Sequence, residues 1–133
     1  MALVHSTHGV GVIADPSSSR ITVLNAYGAR VARVGSQTEP FKVYFCIDSP
    51  PSANRKATKV VISTIPDGAE VQQMELFFGQ TRCKNGALTK GDVTTKDFSP
   101  QFYTGGGVLV EVTVQCTTRG GTIVFRRAEV TWT

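Results

Sequence analysis

This chain is short of the residues that most often carry chemistry. Its two histidines, His5 and His8, lie near the N-terminus with no carboxylate or cysteine at ligand spacing. That excludes a recognisable metal motif, and no nucleophile is paired with either ring, so a serine or cysteine triad has no support. Cysteines number three, Cys46, Cys83 and Cys116, an odd count at spacings that fit neither a zinc site nor a disulfide framework. The expected state is reduced cytoplasmic thiols, with Cys46 and Cys116 inside strand patterns and Cys83 near a turn, the one placed to bridge two copies if exposed. One Trp and three Tyr are a lean supply for stacking on sugars. No apolar run approaches the roughly 18 residues of a membrane span. The opening residues lack a basic stretch followed by a long apolar one, so no signal peptide is expected. No block of like charges makes a disordered basic arm.

What remains is a β protein. The 133 residues suffice for a single domain, taken as 1–133, with one core, and a hydrophobic fraction of 41% is that of a folded chain. Thirteen glycines and six prolines are scattered, as many short strands and turns require. No stretch of ten or more residues repeats its apolar positions at three and four, so no long helix is expected, and neither repeat nor linker is visible. The net charge of +4 favours anionic partners without identifying one.

Alternation locates the strands. Residues 10–13 and 20–25 read as a first hairpin across 15–19, and residues 29–34 as a third strand. Phe41, Val43, Phe45 and Ile47 alternate with Lys42, Tyr44, Cys46 and Asp48. Pro50, Pro51, Ser52 and Asn54 break the run; Thr58, Val60 and Ile62 then resume one face with Lys59, Val61 and Ser63 on the other, up to Pro66. The expectation is a long hairpin over 41–66 with one apolar and one cationic face. Residues 71–78 make a sixth strand before the turn signal Lys84-Asn85-Gly86, and 87–106 are the least regular part. Val108, Val110, Val112, Val114 and Cys116 mark the clearest strand. After the turn Arg119-Gly120-Gly121, residues 122–133 read as a last strand rich in β-branched and aromatic side chains. Val124, Ala128, Val130 and Trp132 fall on one face, and Arg126 breaks the pattern.

Local motifs for catalysis are lacking. Gly105-Gly106-Gly107 precedes a strand and not a helix, so it reads as a mobile loop and not a phosphate cradle. Glu111 on a polar strand face reads as a solvated or recognition carboxylate more readily than as a lone catalytic acid. No enzyme, catalytic residue, metal or cofactor is expected.

The stretch 41–66 resembles the central hairpin of the coat proteins of single-stranded RNA bacteriophages, the levivirus group. Those proteins have a Tyr-Lys-Val strand, Ser or Pro residues, Asn-Arg-Lys, and a second strand of Lys and Val ending at Pro. Phe41-Lys42-Val43, Ser52, Asn54-Arg55-Lys56, Lys59-Val60 and Pro66 occupy those places. Arg20-Ile21-Thr22-Val23, Val31-Ala32 and Leu109-Val110-Glu111-Val112-Thr113 extend the likeness. The departure is at the end, where a β-hairpin replaces the family's two helices.

The resemblance implies an all-β, mainly antiparallel fold: an N-terminal hairpin, then a five-stranded sheet continued across a homodimer. It implies a capsid protein that self-assembles into an icosahedral shell in the bacterial host cytoplasm and resides in the virion. It further implies that the inner sheet face binds and packages single-stranded genomic RNA and represses translation through an RNA hairpin, with no membrane partner. Carried over by position, the RNA-binding residues are Lys42, Tyr44, Cys46, Lys59, Val61, Ser63, Glu111 and Thr113. Lys42 and Lys59 would neutralise phosphates and Tyr44 would stack on a base. The alternatives are another β-sandwich structural or adhesion subunit, viral or not, or a small ligand-binding β module.

Overall fold

Two sheets, not one, receive the alternating strands. The computed structural model describes all residues except 1–2, 15–18, 24–27, 34–38, 53 and 92, and the side chains of 10, 22, 23 and 85 are likewise outside it. Among the described residues twelve strands run β1 Leu3–His8, β2 Ile13–Ala14, β3 Ser19–Val23, β4 Ala29–Arg33, β5 Phe41–Ile47, β6 Lys56–Asp67, β7 Ala69–Phe78, β8 Thr81–Arg82, β9 Asn85–Thr89, β10 Val93–Phe102, β11 Val108–Cys116 and β12 Thr122–Trp132. A single 3₁₀ turn at Gly9–Gly11 is the only helical element among the described residues. One sheet has seven strands in the order β3-β4-β12-β6-β10-β9, with β1 also on β12; the other has five, β2-β5-β11-β7-β8. All their strand pairs are antiparallel. The expected all-β, antiparallel class is therefore the observed one.

The sheets face each other across one core. Phe41, Val43, Phe45 and Ile47 of β5, and Val108, Val110, Val112, Val114 and Cys116 of β11, turn inward from the five-stranded sheet. Ala57, Val60 and Ile62 of β6, and Ile123, Phe125, Ala128, Val130 and Trp132 of β12, meet them from the other. Phe45 meets Phe125 edge-on at 5.5 Å, and Phe78 stacks on Trp132 at 5.5 Å. Each such buried side chain stabilises the fold by about 1.5–3 kcal/mol relative to exposure. One cation crosses the same space: Lys96 of β10 is 1% exposed and donates to Gln73 Oε1 (2.5 Å) and the Met74 carbonyl (2.8 Å) of β7. Burial lowers its pKa, with Glu75 opposing and Arg82 reinforcing the shift.

The expected hairpin over 41–66 does not form. β5 pairs with β11 and β2, whereas β6 pairs with β12 and β10. The proline-containing segment after Ile47 carries the chain from one sheet to the other, because each strand has its own apolar face to bury against the opposite layer. The expected single open sheet continued across a dimer is thereby corrected to a two-sheet sandwich. The C-terminal strand is real, but it is not a hairpin partner of β11, since the two lie in different sheets. The first hairpin is β3–β4, while β2 pairs with β5; the expected turn over 15–19 falls mostly outside the described residues.

Arg126 breaks the pattern of β12 because a bulge sits there. The register on β6 shifts between Phe125 and Arg127. Ile123 and Phe125 face the core before it, Ala128, Val130 and Trp132 after it, and Arg126 and Arg127 are both exposed. Val124, expected to share the inward face, turns the other way. Glycines make room for this kink: a Cβ on Gly9 or Gly28 would lie 1.7 or 2.0 Å from the Phe125 carbonyl oxygen.

Candidate functional site

The outer face of the five-stranded sheet gathers most of the side chains that alternation turned outward. Glu111 on β11 lies opposite Tyr44 on β5 and Glu75 on β7, and Tyr44 in turn lies opposite Ile13 on β2. One step along, Leu109 lies between Cys46 and Phe77, with Arg82 beyond. One step the other way, Thr113 lies between Lys42 and Gln73. Each of these rows runs across the strands, so side chains in one row are nearest neighbours.

Tyr44 and Phe77 are both half-buried and share this face. Two strand spacings of ~4.8 Å and one two-residue step of ~6.6 Å place their Cα atoms about 12 Å apart. Glu111 and Leu109 of β11 lie between them. Glu111 is 17% exposed and pairs with Lys42 Nζ at 3.1 Å. That pair balances one of two carboxylates placed side by side across β11 and β7. A depression of about 340 Å³ closes the Cys46–Leu109 end, lined also by Ile47, Gly79, Gly106, Gly107 and Val108. Its glycine wall is held in place and is not the free loop expected of Gly105-Gly106-Gly107. Gly79 N–H donates to the Gly107 carbonyl (3.0 Å), and Gly107 N–H donates to the Tyr103 hydroxyl (2.9 Å). Residues 105–107 all have φ near +90°, and a Cβ on Gly106 would stand 2.8 Å from Gly79 Cα, so only glycine fits.

The structure divides the eight residues carried over as RNA-binding. Lys42, Tyr44, Cys46, Glu111 and Thr113 share the face just described. Lys59, Val61 and Ser63 lie on the outer face of the seven-stranded sheet, opposite Thr131, Glu129 and Arg127 of β12. The whole sandwich separates the two groups, so they cannot contact one RNA stem-loop together. Lys42 is also engaged by Glu111, which removes half of the cation pair proposed for phosphates. Phe77 and Glu75 were missed. Their signal was present in the alternation of 71–78, where Gln73, Glu75 and Phe77 oppose the buried Met74, Leu76 and Phe78.

The single tryptophan is not part of any surface. Trp132 is fully buried against Phe78 and Tyr103. On the seven-stranded sheet the one outward aromatic among the described residues is Phe102, covered by Lys56 Nζ at 4.6 Å from the ring centre. Among the described residues no group of three or more His, Cys, Asp or Glu is placed to hold a metal ion, and all three cysteines are free. Cys83 is buried and not exposed for bridging between copies; burial pushes its thiol up to about 11.

No protein-family profile matches the chain, and no curated protein matches it in sequence. Solved structures do match. A low-affinity xylan-binding module, CBM86, from Roseburia intestinalis aligns over 96% of this chain and 94% of its own, with a TM-score of 0.53 and 10% identity. A CBM22 module joined to a xylanase from Clostridium thermocellum aligns over 100% of this chain and 28% of its own, with a TM-score of 0.43 and 11% identity. The Clostridium stercorarium module CsCBM6-3, solved with cellobiose, gives 0.38 over 93% and 91%, at 13% identity. At such identities the likeness to the Roseburia module is one of fold.

That fold overturns the coat-protein reading. The sandwich shares its fold with the Roseburia module, and its strands 5 and 6 belong to opposite sheets. The capsid function, the homodimer and icosahedral shell, the single-stranded RNA partner and the location in a virion within a bacterial host all rested on the phage resemblance and are withdrawn with it. The resemblance at 41–66 reflected two amphipathic strands and a polar basic connection, features shared by unrelated β proteins.

Proposed function

We propose that this chain is a non-catalytic carbohydrate-binding module, one domain over 1–133, that holds a neutral β-linked glycan on the outer face of its five-stranded sheet. The observation that carries this is the pair Tyr44 and Phe77, both half-buried and about 12 Å apart on a face that also carries Glu111, Lys42 and Thr113. A pyranose ring has an apolar face and a rim of hydroxyls. The rings of Tyr44 and Phe77 suit the first. The carboxylates of Glu111 and Glu75, the Lys42 ammonium and the Thr113 hydroxyl suit the second. A xylan-type chain is the first candidate, because the Roseburia module of the same architecture is a xylan binder.

Affinity should be weak. Covering roughly 50–60 Å² of apolar surface per stacked ring contributes about 1–1.5 kcal/mol, and exposed hydrogen bonds contribute about 1 kcal/mol each before the cost of association. Two stacked rings and about five hydrogen bonds, less an association cost of about 4 kcal/mol, leave about −4 kcal/mol, a Kd near the millimolar range. Affinity electrophoresis through gels containing unsubstituted xylan, mixed-linked glucan or hydroxyethyl cellulose tests the reading. The wild-type chain should be retarded in at least one gel, and Tyr44→Ala should lose roughly fivefold or more of that affinity. Equal migration of wild type and Tyr44→Ala in every gel, with and without polysaccharide, would overturn it.

A further inference from the structure

The opposite face of the sandwich has another chemistry. The bulge in β12 sets two consecutive arginines on the same outward side, where a regular strand would send one inward. Arg127 lies in a row across three strands, between His8 of β1 and Ser63 of β6. Together with Arg126 these residues line a cleft of about 310 Å³. Glu129 takes Arg127 Nε at 2.7 Å and so fixes the guanidinium plane. No other partner holds Arg127 among the described residues, and Arg126 has none. Arg20 of β3 and Arg30 of β4, both exposed, face outward on the same sheet, so this side carries much of the chain's positive charge.

We infer that this cleft is a second glycan site, specific for a carboxylate-bearing sugar residue of an acidic polysaccharide. The inference rests on the carbohydrate-binding reading of the chain. A guanidinium matches a carboxylate with two parallel N–H···O bonds, which a lysine cannot do. Two adjacent arginines, one of them oriented by Glu129, present that fork at the cleft. The Ser63 hydroxyl and the His8 ring border the same space and suit the hydroxyls of the ring that bears the carboxylate. Among the described residues no Phe, Tyr or Trp lines the cleft, the large rings on which single-stranded nucleic acid sites generally stack successive bases. The two sites face opposite ways, so one chain could join a neutral and an acidic polysaccharide strand.

The test uses isothermal titration at low and moderate salt with four probes: oligogalacturonate, unsubstituted xylan, heparin and poly(U). Wild type, Arg126→Ala/Arg127→Ala and Tyr44→Ala are compared. The proposal expects oligogalacturonate binding that weakens with salt and falls about tenfold or more in the double-arginine variant, while Tyr44→Ala retains it. Retention of xylan by the double variant would confirm that it is folded and that the sites are separate; circular dichroism supplies the folding control if xylan does not bind at all. Unchanged oligogalacturonate affinity in the double variant overturns the proposal. So does tighter, arginine-dependent binding of heparin or poly(U), which would make the cleft a sulfate or nucleic-acid site. Loss of the xylan arm alone, with the oligogalacturonate arm intact, sinks the Tyr44–Phe77 platform and leaves the cleft standing.

Discussion

Replacing Trp132 separates two effects that its burial combines. The indole is 0% exposed, stacks on Phe78 with rings 20° apart, and meets Tyr103 edge-on at 6.0 Å. Burying a side chain of this size removes about 150–250 Å² from water, worth roughly 4–6 kcal/mol at ~25 cal/mol/Å². Against this, its Nε1–H is buried without a hydrogen-bond partner among the described residues, a defect that costs about 1–3 kcal/mol. Trp132→Ala removes both and leaves a cavity, so it should destabilise by about 3–5 kcal/mol. Trp132→Phe keeps a ring over Phe78 and loses contacts worth about 1–2 kcal/mol, while the orphaned donor disappears. The two terms nearly cancel, and Trp132→Phe should lie within about 1 kcal/mol of wild type. The backbone at this end is held independently of the side chain, by Lys56 N–H to the Thr133 carbonyl and Thr133 N–H to the Lys56 carbonyl, both 2.8 Å. Urea denaturation followed by far-ultraviolet circular dichroism measures each variant, since the only tryptophan is gone. A Trp132→Phe variant as unstable as Trp132→Ala would refute the argument, because the indole nitrogen would then be contributing to stability.

Three further outcomes follow from the same core and its bulge. Gly28→Ala, at φ +112° with its Cβ 2.0 Å from the Phe125 oxygen, should cost about 3 kcal/mol or more from backbone strain and clash; a melting temperature equal to wild type would show that β4 is not braced there. For Cys83, raised from 9.0 to about 11 by burial, both states hold the proton below pH 9. Above it the unfolded chain ionises first, so the thiol should lower stability by roughly 2–3 kcal/mol between pH 9 and 11; Cys83→Ala should remove that decline, and parallel urea curves at pH 8 and 11 check it. For Lys96, whose folded pKa is lowered from 10.5 mainly by desolvation, the buried charge weighs against folding at neutral pH and is relieved as pH rises toward 10.5. The stability of wild type relative to Lys96→Met should therefore increase over that rise, and a constant difference would show that the ammonium is not penalised.

Much of the fold was legible because alternation reports which side of a strand is covered. β11 reads off its valines, and β5 off Phe41, Val43, Phe45 and Ile47. Even the irregular point in β12 was visible, since Arg126 sits where the inward parity changes and a bulge is the physical form of that change. β10 was illegible for chemical reasons. A lysine occupies an inward position, Pro100 interrupts the strand, and the register shifts between Asp97 and Gln101. β1 was overlooked because Leu3, His5 and Thr7 are only partly covered, so its alternation is faint.

Alternation cannot report which sheet a strand belongs to. A strand in a single sheet covered on one side and a strand in either layer of a sandwich bury the same every-second residue. The parity assigned to Lys42, Tyr44, Lys59, Val61 and Ser63 was therefore right, and their common surface was not. The same ambiguity governs charge. A net charge of +4 and two lysines on adjacent-looking strands suggested one basic surface suited to phosphates. Once β5 and β6 separate, Lys42 stands with Glu111 and Glu75 on a face that carries two aromatic rings, and Arg20, Arg30, Arg126 and Arg127 collect on the other side. Two surfaces of different chemistry come from one alternating pattern, and only the crossover after Ile47 decides which residues can meet the same ligand.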